Sequence, residues 1–113
     1  MDAYLDIETT GLSPWSDSIT VVGVYRDCPD GIQMRQLVGH EITRDSVESA
    51  LEGVTTLHTY NGAQFDMKFL EAQLHLKLPT AVTHRDLMYD CWRRNLYGGL
   101  KSVERQLGIA RSI

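Results

Sequence analysis

Asp6 and Glu8 stand two residues apart in the opening stretch AYLDIETTGL, residues 3–12. On an extended strand, residues two apart share a face, so both carboxylates project together. Two adjacent carboxylates repel, and at neutral pH both stay ionised only with a cation between them. Oxygen ligands suit a hard divalent ion, Mg²⁺ or Mn²⁺. The plain alternative is an edge strand with two solvated acids. Its flanks argue against that, because Tyr4, Leu5 and Ile7 read as buried.

A third carboxylate, Asp66, lies in YNGAQFD, residues 60–66. There a strand ends, Asn61-Gly62 turns, and Asp66 falls in the first turn of a helix. The helix dipole favours an acid at that place, which is sufficient reason for it. The other reading is a metal-binding carboxylate delivered beside Asp6 and Glu8, with Phe65 anchoring the helix in the core.

The elements that must hold these side chains follow from periodicity and turn residues. After the first strand, Ser13 to Asp17 is turn chemistry, and Ser18 to Arg26 is a β-branched, aromatic strand. Asp27 to Gly31 makes a hairpin loop. Ile32 to Val38 alternates apolar and polar and predicts a half-exposed partner strand. Asp45 and Glu48 resemble a capping box that opens a helix over 45–52, ended by Gly53. Val54 to Tyr60 is a fourth strand, Gln64 to Leu76 a second helix, and Ala81 to His84 a short fifth strand. Helices follow at about 86–95 and, after Gly98-Gly99, at 100–107, ended by Gly108. The expectation is an α/β architecture on a mixed five-stranded sheet: three antiparallel strands, then parallel β-α-β, with flanking helices.

The chain has 113 residues, 42% hydrophobic and 23% charged, which predicts one globular domain over 1–113. No apolar run suits a membrane span or a signal peptide, and we expect a cytoplasmic protein. Cys28 and Cys91 are far apart, without the spacing of a zinc site, and read as reduced thiols. Net charge is -4, but residues 1–83 hold 5 Lys+Arg against 12 acids, and residues 84–113 hold 6 against 3. An acidic metal site beside a basic, phosphate-holding surface has that asymmetry, and so does a solvated helix face. His40, His58, His75 and His84 are scattered and read as surface or strand residues. Trp15, Trp92 and Tyr97 could stack on bases, with core packing the simpler role for Trp92. The Arg93-Arg94 pair reads as a solvated face sooner than a phosphate clamp.

DIETTGL and YNGAQFD together resemble the first and second motifs of the DEDD superfamily of 3′–5′ exonucleases, which have a ribonuclease-H-like fold. The tail HRDLMYDCWRRNLYGGLKSVERQLGI is similar to a bacterial branch of predicted ribonuclease-H-like exonucleases. The resemblance implies two-metal hydrolysis of a phosphodiester at the 3′ end of single-stranded DNA or RNA, with Mg²⁺ or Mn²⁺ ions roughly 4 Å apart. It implies Asp6 as bridging ligand, Glu8 as ligand and orienter of the attacking water, and Asp66 as ligand to the second ion. It also places Thr10, Gly11, Leu12 and Asn61 against the substrate; for Leu12 a core position is the alternative. A non-catalytic nucleic-acid-binding or assembly module with the same fold is the competing expectation.

The family's fourth carboxylate is not found. His84 and Asp90 are one residue too far apart for its spacing, and Arg93 stands where Tyr89 would need an Asp. Asp86 reads as a helix cap. The expectation is therefore a chain lacking its last helix, with an exposed sheet face that a second copy could cover.

Overall fold

The computed structural model describes residues 1–98 and 100–108. Gly99 of the expected Gly98-Gly99 break, and Ile109 and Arg111 of the tail, lie outside the described residues. The strands are β1 (Asp2–Thr9), β2 (Ile19–Cys28), β3 (Gly31–Val38), β4 (Thr56–Thr59) and β5 (Thr83–Asp86). The helices are α1 (Arg44–Ala50), α2 (Asp66–Leu74), α3 (Leu87–Arg93) and α4 (Leu100–Gln106). The sheet runs β3-β2-β1-β4-β5. β1 pairs antiparallel with β2, and β2 with β3; β1 pairs parallel with β4, and β4 with β5. This is the expected ribonuclease-H-like mixed sheet, with β1 at its centre.

β1 alternates strictly. Ala3, Leu5 and Ile7 are buried, and join Val22 and Val24 of β2, Leu57 of β4, Val47 and Ala50 of α1, and Phe69 and Leu70 of α2 in one core. Asp2, Tyr4, Asp6 and Glu8 point to the other face. Tyr4 is therefore 47% exposed, against the expectation that it is buried. Its ring stacks on that of His58, with centroids 4.8 Å apart. His58 is buried and bonds the Asp2 carboxylate at 3.0 Å.

Several boundaries differ from expectation. α1 is opened by Thr43: its hydroxyl accepts from Ser46 N–H at 3.0 Å, while Ser46 Oγ accepts from Thr43 N–H at 2.9 Å. The reciprocal cap is thus two residues earlier than the Asp45–Glu48 pair, because the Thr43 and Ser46 hydroxyls already satisfy the two free amides of that first turn. β4 is shorter than residues 54–60, and β5 begins at Thr83 rather than Ala81. β3 is exposed on both faces except at Leu37, not half-exposed, because the core helices cover β1, β2 and β4 and leave this edge strand bare. Among the described residues, no helix is long and apolar enough to cross a membrane. Cys28 and Cys91 are free thiols.

Candidate functional site

The strands set the site by their unequal lengths. The β1–β4 ladder stops at Tyr4 opposite His58, so β1 runs on past its parallel neighbour. A strand amide beyond the ladder needs another acceptor. Asp66, in the first turn of α2, supplies it: its Oδ2 accepts from Ile7 N–H at 3.2 Å. That bond fixes the Asp66 carboxylate beside Asp6. Opposite Asp6 on β2 is Gly23, which adds no side chain over it. The register then slips between Glu8 and Thr9, a bulge of the kind that re-aims side chains beside active sites.

Asp66 is only 4% exposed. Burial, then the neighbouring Asp6 charge, push its pKa up to about 7, against a smaller opposing effect from the Ile7 amide. The two acids share a cavity of about 560 Å³ with Ile7, Tyr60, Asn61 and Phe65, closed by Met88 and Trp92 of α3 and by Gly98. Burial also raises the Tyr60 hydroxyl, helped by Cys91 and Asp86, and Tyr60 donates to the Gly98 carbonyl at 2.9 Å.

Asn61 sits at a positive φ of 59° on the turn that leads into α2. Asp86 holds that turn. Its Oδ1 accepts from Asn61 N–H at 2.7 Å and from Met88 N–H at 3.1 Å, and its Oδ2 accepts from Ala63 N–H at 3.1 Å. Asp86 caps α3 as the sequence indicated, and also ties α3 to the β4–α2 turn, which the sequence did not show. Gly62 lies against Thr59, where any Cβ would overlap the Thr59 side chain. Thr59 Oγ1 in turn bonds His84 Nε2 at 2.8 Å. Burial lowers the His84 pKa, against a smaller pull from Asp86.

The expected residues divide accordingly. Asp6, Asp66 and Asn61 are brought together. Glu8 shares the Asp6 face of β1 but does not line the cavity. Thr10 ties its own loop: Oγ1 accepts from Ser18 N–H at 2.9 Å and donates to Asp17 at 3.3 Å. Gly11 packs where a Cβ would overlap the Asp17 carboxylate. Leu12 is 84% exposed, which excludes the core alternative. Trp92, expected in the core, is a half-exposed wall of the cavity. Its partner there, Met88, stands one helical turn away, and that spacing is the signal that could have found both. Asp90 does not line the cavity; Arg85 and Arg93 hold it at 3.1 and 2.8 Å.

Oxygen donors at a crowded acid pair fit a hard divalent cation, which would relieve the repulsion that raises Asp66. Among the described residues, no three His, Cys, Asp or Glu side chains are arranged to hold a metal, so the expected convergence of all three acids is met by two.

The RNase H superfamily matches residues 3–113. No curated relative matches the sequence. The zinc-bound E. coli exonuclease I–single-stranded DNA complex is similar at a TM-score of 0.71 and 14% identity, over 98% of this chain and 36% of that one. E. coli exonuclease I with a dA16 oligonucleotide gives 0.63 and 14%, over 99% and 37%. The family B DNA polymerase of Pyrobaculum calidifontis gives 0.66 and 16%, over 97% and 18%. The chain thus spans little more than a third of exonuclease I. A superfamily match over nearly the whole sequence, on a sheet with this strand order, settles the family: the chain belongs to the RNase H superfamily.

Proposed function

We propose that this chain is a metal-dependent 3′–5′ exonuclease module acting on single-stranded nucleic acid. The observation that carries the proposal is the buried Asp66 carboxylate, pinned by the Ile7 amide and facing Asp6 in a shared cavity. A fold has little reason to bury one acid beside another unless a cation is to join them. The cavity opens at the C-terminal ends of β1 and β4, next to the strand that reverses the sheet's direction, where open α/β sheets bind ligands. Exonuclease I, with the same fold, has been solved with single-stranded DNA and with zinc.

Asp6 and Asp66 would hold the cation, with Glu8 turning in from the bulged end of β1. We read Mg²⁺ or Mn²⁺, two ions in the family's manner, as its physiological form. When bound, the metal supplies Lewis-acid activation of water and charge stabilisation at the phosphate. The Ile7 amide holds Asp66 in place before substrate arrives. Trp92, Met88 and Phe65 exclude water from one side and offer apolar surface to a base or sugar. Asn61, rigid on its Asp86-held turn, and the backbone at Gly11 would touch the terminal nucleotide.

The test is digestion of a 3′-labelled single strand with Mn²⁺, against EDTA and against Asp6→Ala. We expect metal-dependent shortening that falls at least a hundredfold in Asp6→Ala. Equal residual cleavage in both proteins would overturn the proposal. That result, with oligonucleotide binding retained, would establish the second reading, a non-catalytic binding module. The absence of a three-acid cluster among the described residues favours that alternative.

A further inference from the structure

A second, larger groove lies away from the acid pair. It has a volume of about 930 Å³ between the loop after β1 and the outer side of α2. One wall is Leu12, Pro14 and Trp15; the other is Lys68 and Glu71 of α2, with Gln64 in the turn before the helix and His75 at its C-terminal cap. Trp15 is 87% exposed. A single bare hydrophobic residue needs no explanation. Here two stand together on a loop that is held rigid. The Asp17 carboxylate accepts from Ser13 N–H at 2.9 Å, and Thr10 N–H donates to the Ser18 carbonyl at 2.9 Å. Gln73 of α2 donates to the carbonyls of Pro14 and Asp17 and accepts from Ile19 N–H at 3.3 Å. The loop therefore displays Trp15 in a fixed place.

Charge singles out the same groove. Residues 1–83 carry 5 Lys+Arg against 12 acids, and three of those five, Arg44, Lys68 and Lys77, line it. Glu48 and Glu71 neutralise two of them, in ion pairs of 3.1 and 3.4 Å. Lys68 Nζ instead donates to the neutral Gln64 Oε1 at 3.1 Å. An aromatic face beside a cation, set in a strongly acidic part of the chain, is the pairing that single strands use: bases stack and phosphates are neutralised.

We propose that this groove is the track for the single strand upstream of the end that is cut, with a base stacked on Trp15 and a phosphate at Lys68. The assignment of an upstream strand rests on the exonuclease reading; the binding itself does not. It is therefore tested in EDTA, where turnover is absent. In the Trp92→Phe protein, Trp15 is the remaining tryptophan, and an oligothymidine strand should quench its fluorescence. By anisotropy, Trp15→Ala should weaken binding about tenfold, the loss of one stacked base. Lys68→Gln should lower the slope of log K against log salt by about 0.7, one phosphate contact. Both side chains are exposed, so an unchanged melting temperature should certify folding. Unaltered affinity in Trp15→Ala and Lys68→Gln would overturn the track, even with cleavage intact. Trp15-dependent binding without Asp6-dependent cleavage would leave the track standing and remove the exonuclease reading. Self-association that Trp15→Ala abolishes, with no oligonucleotide binding, would make the occupant a second copy and overturn the proposal.

Discussion

Asp66 carries the one large pKa shift among the described residues. Its pKa, raised from 3.8 to about 7, means the folded state holds a proton that the unfolded chain releases. An acid raised on folding destabilises the fold as it ionises, so stability is greatest below pH 4 for this group and is lost as pH rises to 7. The full effect is on the order of 4 kcal/mol, from the ~1.4 kcal/mol that each pKa unit represents. Asp66→Asn keeps an oxygen for the Ile7 amide and removes the charge. We expect this variant to melt higher than the parent at pH 8, to flatten the pH dependence, and to lose activity. Mn²⁺ should raise the melting temperature of the parent and leave Asp66→Asn unmoved. A parent whose melting temperature climbs from pH 5 to pH 8 without metal would contradict this account. Asp6, Glu8 and Asp66 were legible in the sequence because acids beside apolar residues and turns are conspicuous. Glu8's place outside the cavity was not, because the residues that line the cavity with Asp6 and Ile7 come from segments more than fifty residues away. Tyr4 was misread for a simpler reason: the alternation that pairs Asp6 with Glu8 also puts Tyr4 on their face.

At the scale of elements, the β4–α2 turn is the part most dependent on one side chain. Asp86 satisfies three amides, two of them on that turn, from the far end of β5. Asp86→Ala should cost about 2–3 kcal/mol, a helix cap and the unpaired amides together, read as a lower melting temperature. Hydrogen exchange should quicken at Asn61 and Ala63 while the amides of β1 and β2 keep their protection. Gly62→Ala should cost about 1–3 kcal/mol through overlap with Thr59. Strand order, hairpin and helix sequence were readable from periodicity. Asp86 as a tie between distant segments was not, because a cap shows in sequence only the helix it begins. Gln73, which fastens the loop after β1, was invisible for the same reason: its partners are more than fifty residues away.

At the scale of the molecule, one face of the sheet is covered by α1 and α2, and among the described residues much of the other is open. Tyr4, Tyr25 and Met34 stand in register across three strands there and are all exposed. The row ends at β3, an edge strand of eight residues whose single charge is Arg35. Long exposed edges with apolar side chains invite pairing. We propose self-association through this face. Sedimentation equilibrium should show a concentration-dependent dimer that Met34→Lys weakens; a strict monomer at high concentration would remove the idea. The basic C-terminal part is less available to phosphates than its charge suggested, because Arg85 and Arg93 are both engaged by Asp90.

The proton that burial keeps on Asp66 has a thermochemical consequence. Near pH 7 about half the molecules carry it, and a cation that seats itself there must expel it into the surrounding medium. Calorimetric titration with Mn²⁺ should then give an apparent heat that depends on the ionisation enthalpy of the buffer. The proton count drawn from that dependence should fall from near one at pH 5.5 towards zero at pH 8.5.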